Sequence, residues 1–594
     1  MKPDTHTVQQ LFERDVRYIV PLYQRPYVWN EDQQWAPLWD DITALLQHQE
    51  NATSAELWSH FLGAIVLDQD QTVPGQIPRY TVIDGQQRLT TLQLLIAAAA
   101  KAIAAAGAED DAALLRELVV NNPRKAKDID RLKVWPTNAN RSSFTAVMAV
   151  DGPPPGHADD PDNLIDEAFD YFTRQVADYL AGDGEEADGE AVRAERLRIT
   201  LCDLLKVVSI TLDRDDNAQV IFETLNARGT PLLSLDLVKN AVFRLASTQG
   251  CDTDALYEQV WRPQLDDEYW RQERRQGRLN RPVGELFLMH WLTMRLERVI
   301  PATELFAAFR QGVLTQSADA EALIRELCAD AAIMRSFDTV SPASPEGEFF
   351  ARFEPLDAGT VLPVVLLLFR SPEVTAERRR RALRILESWL ARRVLMRLTA
   401  KNYNRLVPRL VAKMKADVGY ADDALHEALS GAEGAVSRWP GDDEFVEFLR
   451  TRDIYGTVSA PRLVMALTAV EASLRSAKTE KAPITGKLSL EHLLPQEWEN
   501  TWPLAGSETD AAARTARLHR LGNLTIVTHP LNSSMSNSPW AVKRAELNRH
   551  SVLPLNAKLA ERDKWDEASI DEHGGWLAAQ LVRIWPGPEG WDQS

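Results

Sequence analysis

Arg79-Tyr80-Thr81-Val82-Ile83-Asp84-Gly85-Gln86-Gln87-Arg88-Leu89-Thr90-Thr91-Leu92 is the stretch from which the first part of the chain is read. Arg79 to Ile83 has the β-branched and aromatic content of a short strand. Leu89 to Ala106 is rich in leucine, isoleucine and alanine, and Lys101 is one of its few charges. It predicts a buried or amphipathic helix. Asp84 to Arg88 is then a tight loop that joins a strand to a helix N-terminus. Free backbone N–H groups at such a start favour an anion. Gly85 permits close approach, Arg88 adds a planar fork of donors suited to phosphate, and Asp84 is a candidate to hold a metal ion or orient a water. The loop lacks the Gly-x-x-x-x-Gly-Lys-Ser/Thr pattern, so a Walker-type ATPase is not supported.

Outward from this stretch, Phe61 to Leu67 predicts a second strand, with a turn between the two at Gln69 to Pro78. Upstream, Ile19 to Trp29 is dense in aromatic, amide and guanidinium groups: Tyr23, Gln24, Arg25, Tyr27 and Trp29. Downstream, Leu164 to Leu180 has helical periodicity and Leu205 to Leu212 reads as a strand. Asn217 to Leu225 reads as a helix closed by Asn226-Ala227-Arg228-Gly229, a good C-cap. Asp151 to Asp162 and Ala181 to Glu190 have the composition of surface insertions.

From about Leu235 to Ala432 the pattern is mostly helical, with no strand ladder. Val361 to Phe369 reads as a buried helix or strand, and Arg378 to Ala400 and Asn402 to Met414 as helices. This is the most basic stretch. Arg393, Arg397, Lys401, Arg405, Arg409 and Lys413 recur at every fourth residue. An α-helix drifts by ~40° per such step, so the charges spread around it. They form either a solvated face or a wall that tracks a DNA backbone, with Arg393 and Arg397 as the candidate DNA contacts.

The chain has 594 residues, which predicts two or three domains. Its net charge of −19 taken alone argues against nucleic acid as a partner. The acid is concentrated in stretches such as Asp183 to Glu195 and Asp422 to Asp443, which leaves room for a basic groove elsewhere. Cys202, Cys251 and Cys328 are far apart and predict neither a disulfide framework nor a structural zinc site. No apolar run is long enough to predict a membrane span, and Met1 to Gln10 has no apolar signal region, so the expected location is the cytoplasm.

Near the C-terminus, Leu488 to Leu494 and Asn523 to Thr528 read as strands, and Ser538-Pro539-Trp540 opens a helix that carries Lys543. Glu491-His492-Leu493-Leu494-Pro495 and His519-Arg520-Leu521-Gly522-Asn523-Leu524-Thr525 hold the chemistry-bearing residues, followed by Asn532 and Asn537. A histidine takes a proton from water near neutral pH. A carboxylate or a second imidazole holds a divalent cation, which stabilises charge developing on phosphate. An asparagine fixes the loop around the base.

The order Glu-His-x-x-Pro, Gly-Asn-Leu-Thr, Asn, then a lysine on a helix resembles the HNH nucleases with a ββα-metal finger. It is closest to the modification-dependent restriction enzymes of the GmrSD type, a family that includes BrxU and SspE. The resemblance implies His492 as general base, Asn523 as the central asparagine, and Asn532 near the last His or Asn of the motif. It implies Glu491 and Asn532 as metal contacts for Mg²⁺ or Mn²⁺, with His519 and His529 as substitutes, and Lys543 as a DNA contact. No histidine stands at position 532, and the cysteine pairs of zinc-stabilised relatives are absent.

Ile19 to Trp29 and Asp84 to Thr91 resemble the N-terminal domain of the same family, which is related to the ParB/sulfiredoxin fold and hydrolyses nucleotide. That implies a site for GTP, ATP or CTP at Asp84, Gly85, Gln86, Gln87 and Arg88, helped by Gln24 and Arg25. Asn226, Arg228 and Lys239 are candidates to complete a phosphate pocket. Tyr23, Tyr27 and Trp29 are candidates to line a pocket or stack on a base.

The expected fold is α+β and predominantly helical: a ParB/sulfiredoxin-like α/β domain over 1–245, a helical middle domain over 246–432 and an HNH domain over 433–594. The expected function is a modification-dependent DNA endonuclease of anti-phage defence, in which nucleotide turnover regulates metal-dependent cutting. Modified phage DNA is the expected partner, with no membrane and with a homodimer compatible. The rival is a nucleotide-responsive DNA-binding regulator with a degenerate nuclease module; a ParB-like clamp without cutting is a further one.

Overall fold

A computed structural model describes residues 2–21, 24, 26–51, 58–69, 76–126, 130–149, 163–182, 189–212, 233–276, 279–342, 344–434, 436–475, 486–499, 501–502 and 508–591. The chain gathers into two compact units, Met1–Gln259 with Asp319–Glu321, and Val260–Ala318 with Ala322–Ser594. Its fold is α+β and mostly helical, as the sequence predicts.

In the first unit, six strands form one mixed sheet. They are β1 (Lys2–Thr7), β2 (Arg17–Ile19), β3 (His60–Gln69), β4 (Arg79–Asp84), β5 (Val134–Trp135) and β6 (Leu205–Leu212). The order is β1-β6-β3-β4-β2-β5. β3 runs antiparallel to β4 and parallel to β6, and β2 runs parallel to both β4 and β5. β4 leads through Gly85 into the helix Gln86–Ala105. Gly85 has φ +89°, and a Cβ there would lie 2.7 Å from Ile65 Cγ2 on β3. Glycine is required twice over, for the left-handed backbone and for the close approach.

The helix Gln86–Ala105 is long and apolar enough to cross a membrane, yet 72% of its apolar window is buried inside the protein. Its Leu89, Leu92, Leu95 and Ile103 share one core with Ile65, Val82, Phe169 and Phe172. Burying each such side chain is worth about 1.5–3 kcal/mol. The expected strand at Phe61 to Leu67 and the helix at Leu164 to Leu180 form, the latter as Leu164–Ala181. The expected helix at Asn217 to Leu225 lies outside the described residues, as does most of the expected turn at Gln69 to Pro78.

The second unit is helical around two small strand pairs. One is a hairpin of β7 (Glu273–Gln276) and β8 (Leu279–Pro282). It corrects the expectation of no strands in the middle of the chain: β7 is wholly charged or polar and β8 has only Leu279 and Pro282 as apolar residues, so neither carries an apolar alternation that would announce it. Val361 to Phe369 resolves as the helix Leu362–Arg370.

The basic stretch forms the helices Ala376–Leu395 and Tyr403–Ala416. The first ends earlier than its composition suggests. Arg397 takes φ +59°, its N–H donates to Val394 O, and the Leu398 N–H donates to Arg393 O. These two bonds are a Schellman closure.

Arg393 is a correction. It is fully buried, and its guanidinium donates to Tyr403 Oη and to the backbone oxygens of Arg438, Thr399 and Val436. It holds the helix to its neighbours and is no DNA contact. Arg378 and Arg381 pair with Asp422 and Asp423, and Arg379 with Glu346.

Gly85→Ala is expected to destabilise the first unit by about 1–3 kcal/mol, because a methyl must displace Ile65 while the backbone stays left-handed. The urea midpoint of the full chain reads this out, and an unchanged midpoint contradicts it.

Candidate functional site

β9 (Leu488–His492) pairs antiparallel with β10 (Leu524–Thr528), setting Leu524 opposite His492. The helices His529–Met535 and Trp540–His550 follow. Asn523 closes the ends of the strands. It is fully buried; its Nδ2 donates to Leu494 O and Leu518 O, both at 2.9 Å, and its Oδ1 accepts from Leu494 N at 2.8 Å and Trp565 Nε1 at 3.2 Å. An amide with four partners locks the backbone just after His492.

His492 is 8% exposed. Burial, helped by the charges of His519 and Lys543, pushes its pKa down to about 4. The imidazole is therefore neutral at pH 7, the form that accepts a proton. Its Nε2 has no hydrogen-bond partner among the described residues. Its Nδ1 faces the Gln496 amide at 3.4 Å. The atom facing the ring is Gln496 Nε2; the tautomer that leaves the His492 Nε2 lone pair free carries its proton on Nδ1 and requires the amide to present its oxygen there instead.

Two rings complete this corner. Tyr455 meets His492 edge-on with centroids 4.3 Å apart and stacks on His519 at 5.5 Å and 15°. His519 lies 5.7 Å from His492, and its Nδ1 also lacks a hydrogen-bond partner among the described residues. Ile454 and Tyr455 donate their backbone N–H groups to His519 O, which fixes the stack. Tyr455 is the residue the sequence did not announce, since one tyrosine 37 positions before His492 forms no pattern with it.

Three expected roles are corrected here. Lys543 is 1% exposed, and its ammonium donates to Glu491 Oε1 at 2.5 Å and to His492 O at 2.6 Å. It is a buried tie and no DNA contact. Glu491 is thereby committed to Lys543 and does not face a metal ion; burial raises its pKa against the pull of the ammonium. Asn532 donates its Nδ2 to Ser489 Oγ and Leu490 O, so it fastens its helix to β9. Glu491 and Asn532 do not make a metal-holding set. Among the described residues no three His, Cys, Asp or Glu side chains group as metal ligands. His529 is exposed at the start of its helix.

In the first unit the expected residues divide in the same way. Gln24 Nε2 donates to Val82 O at 2.6 Å. Gln87 donates to Pro26 O and accepts from Val28 N, both at 2.9 Å. Both pin the segment before Trp29 to the β4–helix passage and are no nucleotide ligands. Tyr27 is buried, with its hydroxyl against Thr91 and Trp35, so it does not stack on a base. Lys239 is buried beside Asp236 and over the Tyr257 ring. Tyr23, Arg25, Asn226 and Arg228 lie outside the described residues.

Arg88 does not cap the loop. It leans on β3, donates to Ala64 O and lies against Gly63, where the pairing of β3 with β6 shifts register. There it opens into a cleft of about 230 Å³ lined also by Trp29, Gln33, Asp41, His60 and Phe61. The structure thus brings Arg88 and Trp29 together. It adds Gln33, Asp41, His60 and Phe61, none of which stands in a motif of the sequence that marks it as a site residue.

Two family models match these units. The N-terminal domain of the GmrSD restriction endonuclease matches residues 8–243, and the C-terminal domain of GmrSD restriction endonucleases matches residues 439–580. The chain belongs to the GmrSD restriction endonuclease family. No curated protein matches it. Membership makes the chain a restriction endonuclease, with DNA as its partner. The Arg88 cleft falls within the first GmrSD match and the His492 corner within the second, whereas the basic helices lie between them.

Lys543→Ala is expected to cost about 3–5 kcal/mol of stability, because it leaves a buried carboxylate uncompensated. Thermal melting without DNA checks this. A melt unchanged from wild type would return Lys543 to the DNA-contact role.

Proposed function

We propose that the chain is a modification-dependent DNA endonuclease of anti-phage defence. Its C-terminal module is the HNH cutter, and its N-terminal, ParB/sulfiredoxin-like module binds and hydrolyses a nucleoside triphosphate. The observation that carries the reading is the His492 corner. A buried, neutral imidazole whose Nε2 has no partner among the described residues stands at the end of a strand, and Asn523 and the Lys543–Glu491 pair hold it from behind. The β9, β10 and Trp540–His550 arrangement supports the ββα assignment.

In this reading Nε2 takes a proton from water, the oxygen attacks phosphorus, and the bond from phosphorus to the leaving oxygen breaks. A divalent ion, Mg²⁺ or Mn²⁺, is the proposed cofactor; Glu491 and Asn532 are engaged with Lys543, Ser489 and Leu490 and are not its ligands. In the first unit, the Arg88 guanidinium suits a phosphate, and Trp29 and Phe61 supply ring faces for a base. GTP, ATP and CTP all satisfy that chemistry.

A rival reading, a nucleotide-responsive DNA-binding regulator that does not cut, is favoured by one observation: the Glu491 carboxylate is bound by Lys543. Plasmid incubation with Mg²⁺ or Mn²⁺ separates the two. His492→Ala is expected to lower cutting by about 10²–10⁴-fold with its fold intact. Undiminished cutting by a well-folded variant would remove His492 as the base, and no cutting by wild type on any modified DNA would favour the regulator.

Arg88→Ala is expected to lose nucleotide hydrolysis, measured as phosphate release, and with it the effect of nucleotide on cutting. Coupling requires that nucleotide bind two states of the protein unequally. If Arg88→Ala keeps full hydrolysis, the nucleotide site lies outside this cleft.

A further inference from the structure

We infer that Arg397, Lys401, Arg405 and Arg409 form a cationic ridge that tracks the phosphate backbone of the DNA. The inference rests on the reading that this chain binds DNA, and adds a surface outside both family matches.

All four residues are exposed. Their side chains have no ion-pair partner within 4.0 Å among the described residues, as is also true of Arg380 and Arg384, whereas several neighbouring cations are paired. Arg378, Arg379 and Arg381 are paired upstream, and Lys413 with Glu427 and Lys415 with Glu297 downstream. The chain has 86 acidic against 67 basic residues, so carboxylates are plentiful. Four successive cations without one are an opening for an external anion.

The backbone supports the same point. Arg397 sits at φ +59° in the helix closure, a position where glycine is cheapest and an arginine costs about 1 kcal/mol. After it the chain turns through Lys401 into the helix Tyr403–Ala416. Arg405 and Arg409 follow one turn apart, about 6 Å along the axis. Phosphates of one strand recur every ~3.4 Å of duplex axis, so a spacing of ~6 Å is wide enough for separate phosphates.

The ridge is also fixed to the cutting module. On the helix that leads to Arg397, Ser388 donates to Pro586 O, and Arg392 donates to Trp585 O and Pro440 O and pairs with Asp442. Trp585 Nε1 donates to Glu387. These bonds are buried or half-buried, so the ridge and the His492 module keep one geometry. Cations there position the duplex through its backbone without reading its sequence.

The test is fluorescence anisotropy of a labelled duplex with the full chain in EDTA, across a series of NaCl concentrations. Withdrawing one cation from its phosphate is expected to flatten the slope of log K against log salt by ~0.9. The fourfold alanine variant should therefore flatten it by about 3–4, and bind at least about 100-fold more weakly at low salt. Lysine at Arg397, Arg405 and Arg409 should restore the slope.

Should the fourfold variant melt early, Lys401→Ala and Arg409→Ala singly still report, each by ~0.9. A wild-type slope and affinity in well-folded variants overturns the ridge alone. If the wild-type chain binds no duplex, plain or modified, at any salt, the DNA reading fails together with the ridge.

Discussion

The second unit turns on one buried ion pair, Lys543 against Glu491, whose ammonium also holds the backbone oxygen of His492. Taking two charges out of water costs several kcal/mol each, and their attraction returns that only if the remaining donors are satisfied. Here the lysine reaches a carboxylate and a carbonyl on adjacent residues of one strand. The pair fixes a helix to the end of β9 in a single register. It therefore sets where the His492 ring stands, and it takes Glu491 out of the solvent-facing chemistry.

The same division of labour recurs through the chain. Asn523 uses its whole amide to lock the loop after His492, and Asn532 fastens a helix to β9. Gln24 and Gln87 tie a loop to the β4–helix passage, and Arg393 ties two backbone segments, at Thr399 and at Val436 and Arg438, to its own helix. In each case polar side chains at motif positions satisfy buried backbone groups that water cannot reach. Among the described residues, His492 Nε2 and His519 Nδ1 are buried without a hydrogen-bond partner in one module, and Arg88 opens with its aromatic neighbours onto a cleft in the other.

Much of this was legible in the sequence. Arg79 to Leu92 reads as strand, glycine and helix because each has its own local signal: β-branched residues, a glycine that permits close approach and a leucine–alanine run. The strands at Leu488 and Asn523 were legible for the same reason. What one sequence does not hold is direction. Lys543 and Arg393 read as DNA contacts because charge predicts exposure, and both are buried because a partner waits inside. Tyr455 and Phe61 were invisible because each reaches its site through the tertiary fold. The β7–β8 hairpin escaped because its pairing is a backbone matter and its polar side chains show no apolar alternation.

The central claim is that burial holds His492 as a neutral base through the neutral pH range. Its direct measure is an NMR pH titration of the His492 ring in the full chain, with ¹³C-labelled histidine and the signal assigned by its loss in a His492 substitution. The account predicts a midpoint near 4, well below the ordinary 6.5. Between those values the unfolded chain binds the proton and the folded one does not, so the contribution of His492 to stability is present above pH 6.5 and lost as pH falls toward 4. A midpoint at or above 6.5 would mean that the ring is open to water or paired with an anion, and would contradict the account.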